Sequence, residues 1–167
     1  FGQTVIDNDK IRSGNGSETS INARGNMQQP FYKMGSSWFK LTYSNYPLNA
    51  TFAVGGDGSS EWNLSGTLLN DPILVNHDIN TDGFNYNSGS TGAGTGTVVS
   101  TGELSFPDAT LQAEHTYELL PGNSFIKVKM KLTNQSSSDA ENVRVWIGTR
   151  DDWVGSTDRP TTQRGNL

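Results

Sequence analysis

Residues Leu111–Ile147 read L-Q-A-E-H-T-Y-E-L-L-P-G-N-S-F-I-K-V-K-M-K-L-T-N-Q-S-S-S-D-A-E-N-V-R-V-W-I, and this stretch decides the fold class. Successive side chains of a strand point to opposite faces. Leu111, Ala113, His115, Tyr117 and Leu119 therefore share one face, and Gln112, Glu114, Thr116 and Glu118 share the other. Leu120-Pro121-Gly122-Asn123-Ser124 supplies the residue types of a turn. Beyond it, Ile126, Val128, Met130 and Leu132 face inward while Lys127, Lys129 and Lys131 face outward. One register satisfies both runs. Leu119 beside Ile126 sets Glu118 opposite Lys127, Thr116 opposite Lys129 and Glu114 opposite Lys131, with Tyr117 opposite Val128 and His115 opposite Met130. A slip of one residue turns charges into the core, so the register is strongly specified. Each opposite-charge pair contributes roughly 0.2–1 kcal/mol, and each fully buried large apolar side chain about 1.5–3 kcal/mol.

A third strand is expected after the turn Asn134–Asp139. Val143, Val145 and Ile147 would continue the apolar face, with Arg144 and Trp146 outward. That arrangement brings Arg144 towards Lys131, with Glu114 on the flank to offset it.

Upstream, Phe1–Ile6 reads as a first strand and Asp7–Glu18 as a turn-rich loop, followed by a short strand at Thr19–Arg24. Gln28-Gln29-Pro30 interrupts the pattern. Phe31–Met34 and Trp38–Tyr43 are aromatic-rich strands separated by Gly35-Ser36-Ser37, with Phe39, Leu41 and Tyr43 expected towards the core. Ala50–Val54, Trp62–Leu69, Ile73–Val75 and Val98–Phe106 follow as further strands, and Asn76–Thr97 reads as a long polar loop ending in a Gly/Thr-rich flexible run. Short strands between turn signals, with almost no helical spacing, point to an all-β fold. The expected form is an antiparallel β-sandwich, supersandwich or jelly-roll-like, with long polar loops. Residues 1–155 form a single domain in this reading, and 156–167 are a polar tail or the start of a continuation.

The chain has 167 residues, 17% charged and 32% hydrophobic, with a net charge of −5. That length suits one domain with a real core. The three alternating lysines are the only basic cluster, which argues against nucleic acid as a partner. No apolar stretch is long enough for a membrane-spanning helix. Cysteine is absent, which excludes disulfides and Cys-ligated metal sites. The acidic, Asn/Ser/Thr/Gly-rich composition is read as that of an extracellular or cell-surface protein.

The sharpest local motif is Asp78-Ile79-Asn80-Thr81-Asp82-Gly83-Phe84. It matches the opening of a calcium loop, with side-chain oxygens from Asp78, Asn80 and Asp82, a glycine for the sharp turn and the Phe84 carbonyl. The Glu expected at the twelfth position is replaced by Gly89, so other ligands would have to complete the shell. The plainer reading is an Asx-rich turn. Asp151, Asp152 and Trp153 form a second cluster, read as a carbohydrate-binding ledge or as a solvated acidic turn. Asn15, Asn49, Asn63 and Asn134 begin N-glycosylation sequons, about as many as the composition produces by chance. His115 is expected in the core as a hydrogen-bonded residue rather than a catalyst. With one other histidine, His77, and no cysteine or G-x-S-x-G, neither a catalytic triad nor a zinc site is supported.

The run from His115 to Gly148 resembles strands of the supersandwich of galactose-mutarotase-like proteins, and strand triplets of extracellular β-sandwiches of the adhesin and surface-protein type. The mutarotase-like family's catalytic His and Glu have no motif-level counterpart here. These features lead to three expectations. The first is a non-enzymatic structural or adhesive module, a subunit of a surface assembly or filament, with other protein subunits as partners. The second is a carbohydrate-binding module, calcium-dependent or not, that uses outward aromatics such as Trp38, Trp146 or Trp153 on a surface glycan. The third is a fragment of a mutarotase-like sugar-active enzyme.

Overall fold

A computed structural model describes residues 5–14, 20–22, 24–42, 48–54, 75–80, 85–86, 93–106 and 109–148. Among the described residues, eleven strands run in chain order: β1 (Val5–Asp7), β2 (Ile11–Ser13), β3 (Pro30–Met34), β4 (Ser37–Lys40), β5 (Asn49–Ala53), β6 (Val75–Asn80), β7 (Asn85–Tyr86), β8 (Ala93–Ser105), β9 (Thr110–Leu119), β10 (Lys127–Asn134) and β11 (Arg144–Gly148). The protein is all-β. Nine strands make one sheet with the path β10-β9-β8-β1-β2-β3-β4, and β6 and β7 also pair with β8. This sheet curls into a half-barrel. β11 and β5 form a second, two-stranded sheet.

The β9–β10 hairpin has the register that its sequence dictates. Lys127 faces Glu118, Val128 faces Tyr117, Lys129 faces Thr116, Met130 faces His115 and Lys131 faces Glu114. The Lys127 ammonium lies 3.7 Å from the Glu118 carboxylate. Leu111, Ala113, His115, Tyr117 and Leu119 are all buried, but Val128, expected inward on β10, is exposed, and Ile126, Met130 and Leu132 are only half-buried. β8 backs β9 with matching parity: Val98 faces Tyr117, Ser100 faces His115, Gly102 faces Ala113 and Leu104 faces Leu111. Small residues thus lie opposite the bulky imidazole and at the tightest part of the core.

Two apolar clusters result. Ile6, Ile21, Met27, Val98, Tyr117 and Leu119 pack together, with Leu48, Ile79 and Ile126 against them. Val54, Leu104, Ala109, Leu111 and Ala113 form the other, with Phe106, Met130, Leu132 and Ala140 beside it.

Several expectations are corrected. The strand at Val143–Ile147 does not extend the meander. As β11 it pairs with β5, with Arg144 opposite Ala53 rather than Lys131. Its faces are also inverted: Val143, Val145 and Ile147 are exposed, and Arg144 is half-buried. Like charges directly opposite destabilise a pair, and β5 offers Arg144 an alanine instead. Asn142, in the left-handed region at φ 51°, precedes the strand and redirects the chain.

The loop expected over Asn76–Thr97 contains most of β6, all of β7 and the first five residues of β8. Within it, Gly94 and Thr95 are buried. Ala93 and Gly94 pair in parallel with Val5 and Ile6, while Gly94 and Thr95 pair with Tyr86 and Asn85. From Ala93 onward the glycine-rich run is ladder, because small side chains let flanking strands approach closely. The loop expected over Asp7–Glu18 contains β2, joined to β1 by a turn in which Asn8 Oδ1 accepts the amides of Lys10 and Ile11. The strand expected at Thr19–Arg24 reduces to a single bridge between Ile21 and Met27. The chain turns there because Asn22 Oδ1 accepts the amides of Arg24 and Asn26, a local bond that competes with strand pairing.

β3 and β4 join through Gly35-Ser36, with Gly35 at φ 60°, as a tight two-residue hairpin turn requires. The core-facing set expected in Trp38–Tyr43 is also revised. Leu41 is exposed, whereas Thr42 is buried. The Leu41 amide donates to the Pro30 carbonyl, but proline has no N–H to return, and the ladder stops. The strand expected at Trp62–Leu69 lies outside the described residues.

Candidate functional site

Polar side chains are prominent among the buried residues. Ser13, Ser20, Asn26, Gln29, Thr42, Ser100 and His115 are all buried. Ser20, Asn26 and Gln29, between β2 and β3, are among them, and side chain to backbone bonds tie this region down. Ser20 Oγ accepts the Ile6 amide at 2.6 Å and donates to the Ser13 carbonyl at 2.7 Å. Ser13 Oγ lies 2.8 Å from the Gln28 carbonyl and 3.1 Å from that of Ser20. Gln29 Nε2 donates to the Thr42 carbonyl.

At the centre, two β9 side chains converge on one acceptor. The His115 Nδ1–H donates to the Gly25 carbonyl at 2.7 Å, and the Tyr117 hydroxyl donates to the same oxygen at 2.6 Å. A carbonyl has two lone pairs, so both bonds can form. Burial pushes the Tyr117 hydroxyl well above the ordinary phenol value, and a hydrogen bond from the Met27 backbone partly offsets this. His115 is thus a core residue engaged with the backbone, as its position on the apolar face implies, and Tyr117 is held neutral. This cluster supports the turn at Asn22–Asn26.

A second constellation lies on β2, β3 and β4. Arg12 faces Phe31, and Phe31 faces Lys40; Lys33 faces Trp38. Directly opposite residues share a face, and alternation puts all five on the same one. The Arg12 guanidinium carbon lies 4.3 Å from the Trp38 ring centroid and 4.7 Å from that of Phe31. Lys33 Nζ is 5.7 Å from the Trp38 ring and forms an ion pair with Asp9. On the opposite face, Tyr32 and Phe39 stack with centroids 5.5 Å apart. Arg12 and Trp38 are half-buried and Lys40 is exposed.

The residues singled out in the sequence are placed as follows. Asp78 and Asn80 belong to β6, on one face of an extended strand, both exposed. Asp78 Oδ1 accepts the Ile79 amide. Asp82 and Phe84 lie outside the described residues, as do Asp151, Asp152, Trp153, Asn15 and Asn63. Among the described residues, no group of three or more His, Asp or Glu side chains is placed to hold a metal ion. Asn49 pairs with Gly148 at the start of β5. Asn134 ends β10 exposed, with Nδ2 donating to the Ser138 carbonyl and Oδ1 accepting the Ser136 amide. His77 is in β6 and Trp146 in β11.

No family model, curated protein or solved structure matches the chain. Function therefore has to be argued from the chain itself.

Arg12 was not singled out in the sequence. It sits in a three-residue strand hidden within a turn-rich run. A signal was available in the alternation of Phe31 and Lys33 with Trp38 and Lys40 around Gly35-Ser36. A two-residue hairpin at that point sets Lys33 against Trp38.

Proposed function

We propose that the chain is a non-enzymatic structural or adhesive module, a β-sandwich subunit of an extracellular assembly that meets neighbouring subunits through the β10–β11 region. The observation that supports this reading is the exposure of five large apolar side chains between Phe125 and Ile147. Phe125, Val128, Val143, Val145 and Ile147 are all exposed, Phe125 at 58% and Ile147 at 63%. Apolar area kept in water costs about 25 cal/mol per Å², and subunit contacts are where such area is covered. Among the described residues, β11 is paired only with β5, so it presents an edge. The polar interior also favours a scaffold role, since its buried histidine and tyrosine are committed to the Gly25 carbonyl.

Sedimentation velocity over a wide concentration range, with negative-stain electron microscopy, tests the proposal. Concentration-dependent assembly that Val145→Lys and Ile147→Lys abolish is the expected result. A chain that remains monomeric at high concentration, with the substitutions changing nothing, would sink it.

A further inference from the structure

We propose that the Arg12–Trp38 face of β2, β3 and β4 binds an acidic saccharide, one that carries a carboxylate on a pyranose ring. The inference goes beyond the assembly reading and does not depend on it.

Three observations support it together. The first is the state of Arg12. Its guanidinium carbon lies over the rings of Phe31 and Trp38, and among the described residues no hydrogen bond or ion pair engages it. Its Nε is enclosed without a partner among the described residues. A guanidinium that meets aromatic rings through its faces keeps the in-plane N–H donors of its terminal nitrogens for a ligand. Those donors match the two oxygens of a carboxylate. The orientation is fixed before any ligand arrives, so less side-chain entropy is lost on binding.

The second is the position of Trp38. It is half-buried on β4, which ends the path of the larger sheet. Arg12 lies over this ring, and the part of the ring it leaves uncovered would meet the C–H face of a sugar ring, which an acidic peptide side chain lacks.

The third is the charge balance. Arg12, Lys33 and Lys40 share this face. Asp7, opposite Arg12 across β1–β2, and Asp9 answer them. Asp7 Oδ1 accepts the Asp9 amide, and Asp9 pairs with Lys33. Among the described residues, Arg12 and Lys40 are left as the cations of this face without an ion pair, in a chain whose net charge is −5. Such a face suits a sparsely charged ligand, with about one carboxylate per ring. It does not suit a dense polyanion, which needs many cationic contacts.

Isothermal titration of the full chain with polygalacturonate and with hyaluronate tests the proposal. Dextran and methyl-esterified polygalacturonate are the neutral controls, and polyglutamate is the acidic peptide control. The expected result is binding to at least one of the two uronate polymers and none to the neutral polymers. Lys40→Gln, an exposed change that leaves the fold intact, should weaken binding about threefold, a step set by a screened surface charge. Arg12→Lys should weaken it about tenfold or more, because the charge stays but the planar fork is lost. Trp38→Ala should abolish it, with circular dichroism showing that the fold is retained. The proposal is overturned if neither uronate polymer binds, if esterification makes no difference, or if Lys40→Gln and Arg12→Lys leave affinity unchanged. Equal binding of polyglutamate would also overturn it, because it would reveal general charge attraction only.

Discussion

Tyr117 donates its hydroxyl proton to the carbonyl of Gly25, 92 residues away in sequence, at 2.6 Å. This bond fastens the turn between β2 and β3 to the floor of the half-barrel. Tyr117→Phe keeps the ring and removes the bond, leaving the carbonyl to His115. The expected loss is about 1–2 kcal/mol, measured by urea denaturation. Amide exchange at Asn22–Asn26 should accelerate more than exchange in β8.

The same hydroxyl gives a pH dependence. Its pKa in the folded protein is raised by burial, so the folded state holds the proton more tightly than the unfolded chain does. The stability it contributes is fully present below the ordinary tyrosine value and is lost as pH rises above about 10. The unfolding free energy of the wild type should fall there by up to about 1.4 kcal/mol per pH unit more than that of Tyr117→Phe. Chemical denaturation of both proteins between pH 8 and pH 11 measures the difference, and parallel curves would refute the assignment.

Ser20→Ala should be more damaging than its size suggests. The substitution strips the buried Ile6 amide of its acceptor and the Ser13 carbonyl of a donor. An unsatisfied buried group costs about 1–3 kcal/mol. Thermal unfolding should show the loss, and a change below about 0.5 kcal/mol, the range of ordinary surface substitutions, would count against this account.

The Glu118–Lys127 pair should matter little to stability. Its side chains are 35% and 64% exposed, and such pairs contribute under about 1 kcal/mol and are screened by salt. Lys127→Glu should therefore cost a few tenths of a kcal/mol to about 1 kcal/mol, with the cost shrinking in high salt. Denaturation at low and high ionic strength checks this.

Lys127, Lys129 and Lys131 have a different task. They are exposed along β10, which ends the path of the larger sheet. Lysines on such a strand discourage pairing with other chains. Replacing Lys129 and Lys131 with valine should produce thioflavin-positive aggregates under conditions where the wild type stays clear, and light scattering gives a second readout.

The β9–β10 register was legible because two independent patterns agree there. The apolar alternation fixes the faces, and the Glu118, Glu114, Lys127 and Lys131 charges fix the alignment. β11 has only the first kind of information. Val143, Val145 and Ile147 alternate cleanly, but alternation names neither the partner strand nor the face that is covered, and the pairing with β5 reversed both. The short strands β2 and β7 lack enough residues for any period to show. The cation–aromatic face was harder still, because Arg12 meets Trp38 only after two successive registers, β2 with β3 and β3 with β4, have been set. Trp38 could be named as an outward aromatic, but its neighbours could not.

The parallel joint between β1 and β8 has a consequence for the order of folding. Val5 and Ile6 pair with Ala93 and Gly94, and the Gly25 turn closes onto His115 and Tyr117. During synthesis, the first strands emerge long before any of these partners exist. Contacts so distant along the chain are slow to form. These distant contacts must therefore wait, with the serines and asparagines near them hydrated, until β9 has left the ribosome. A polar lining tolerates that delay where an apolar one would invite aggregation.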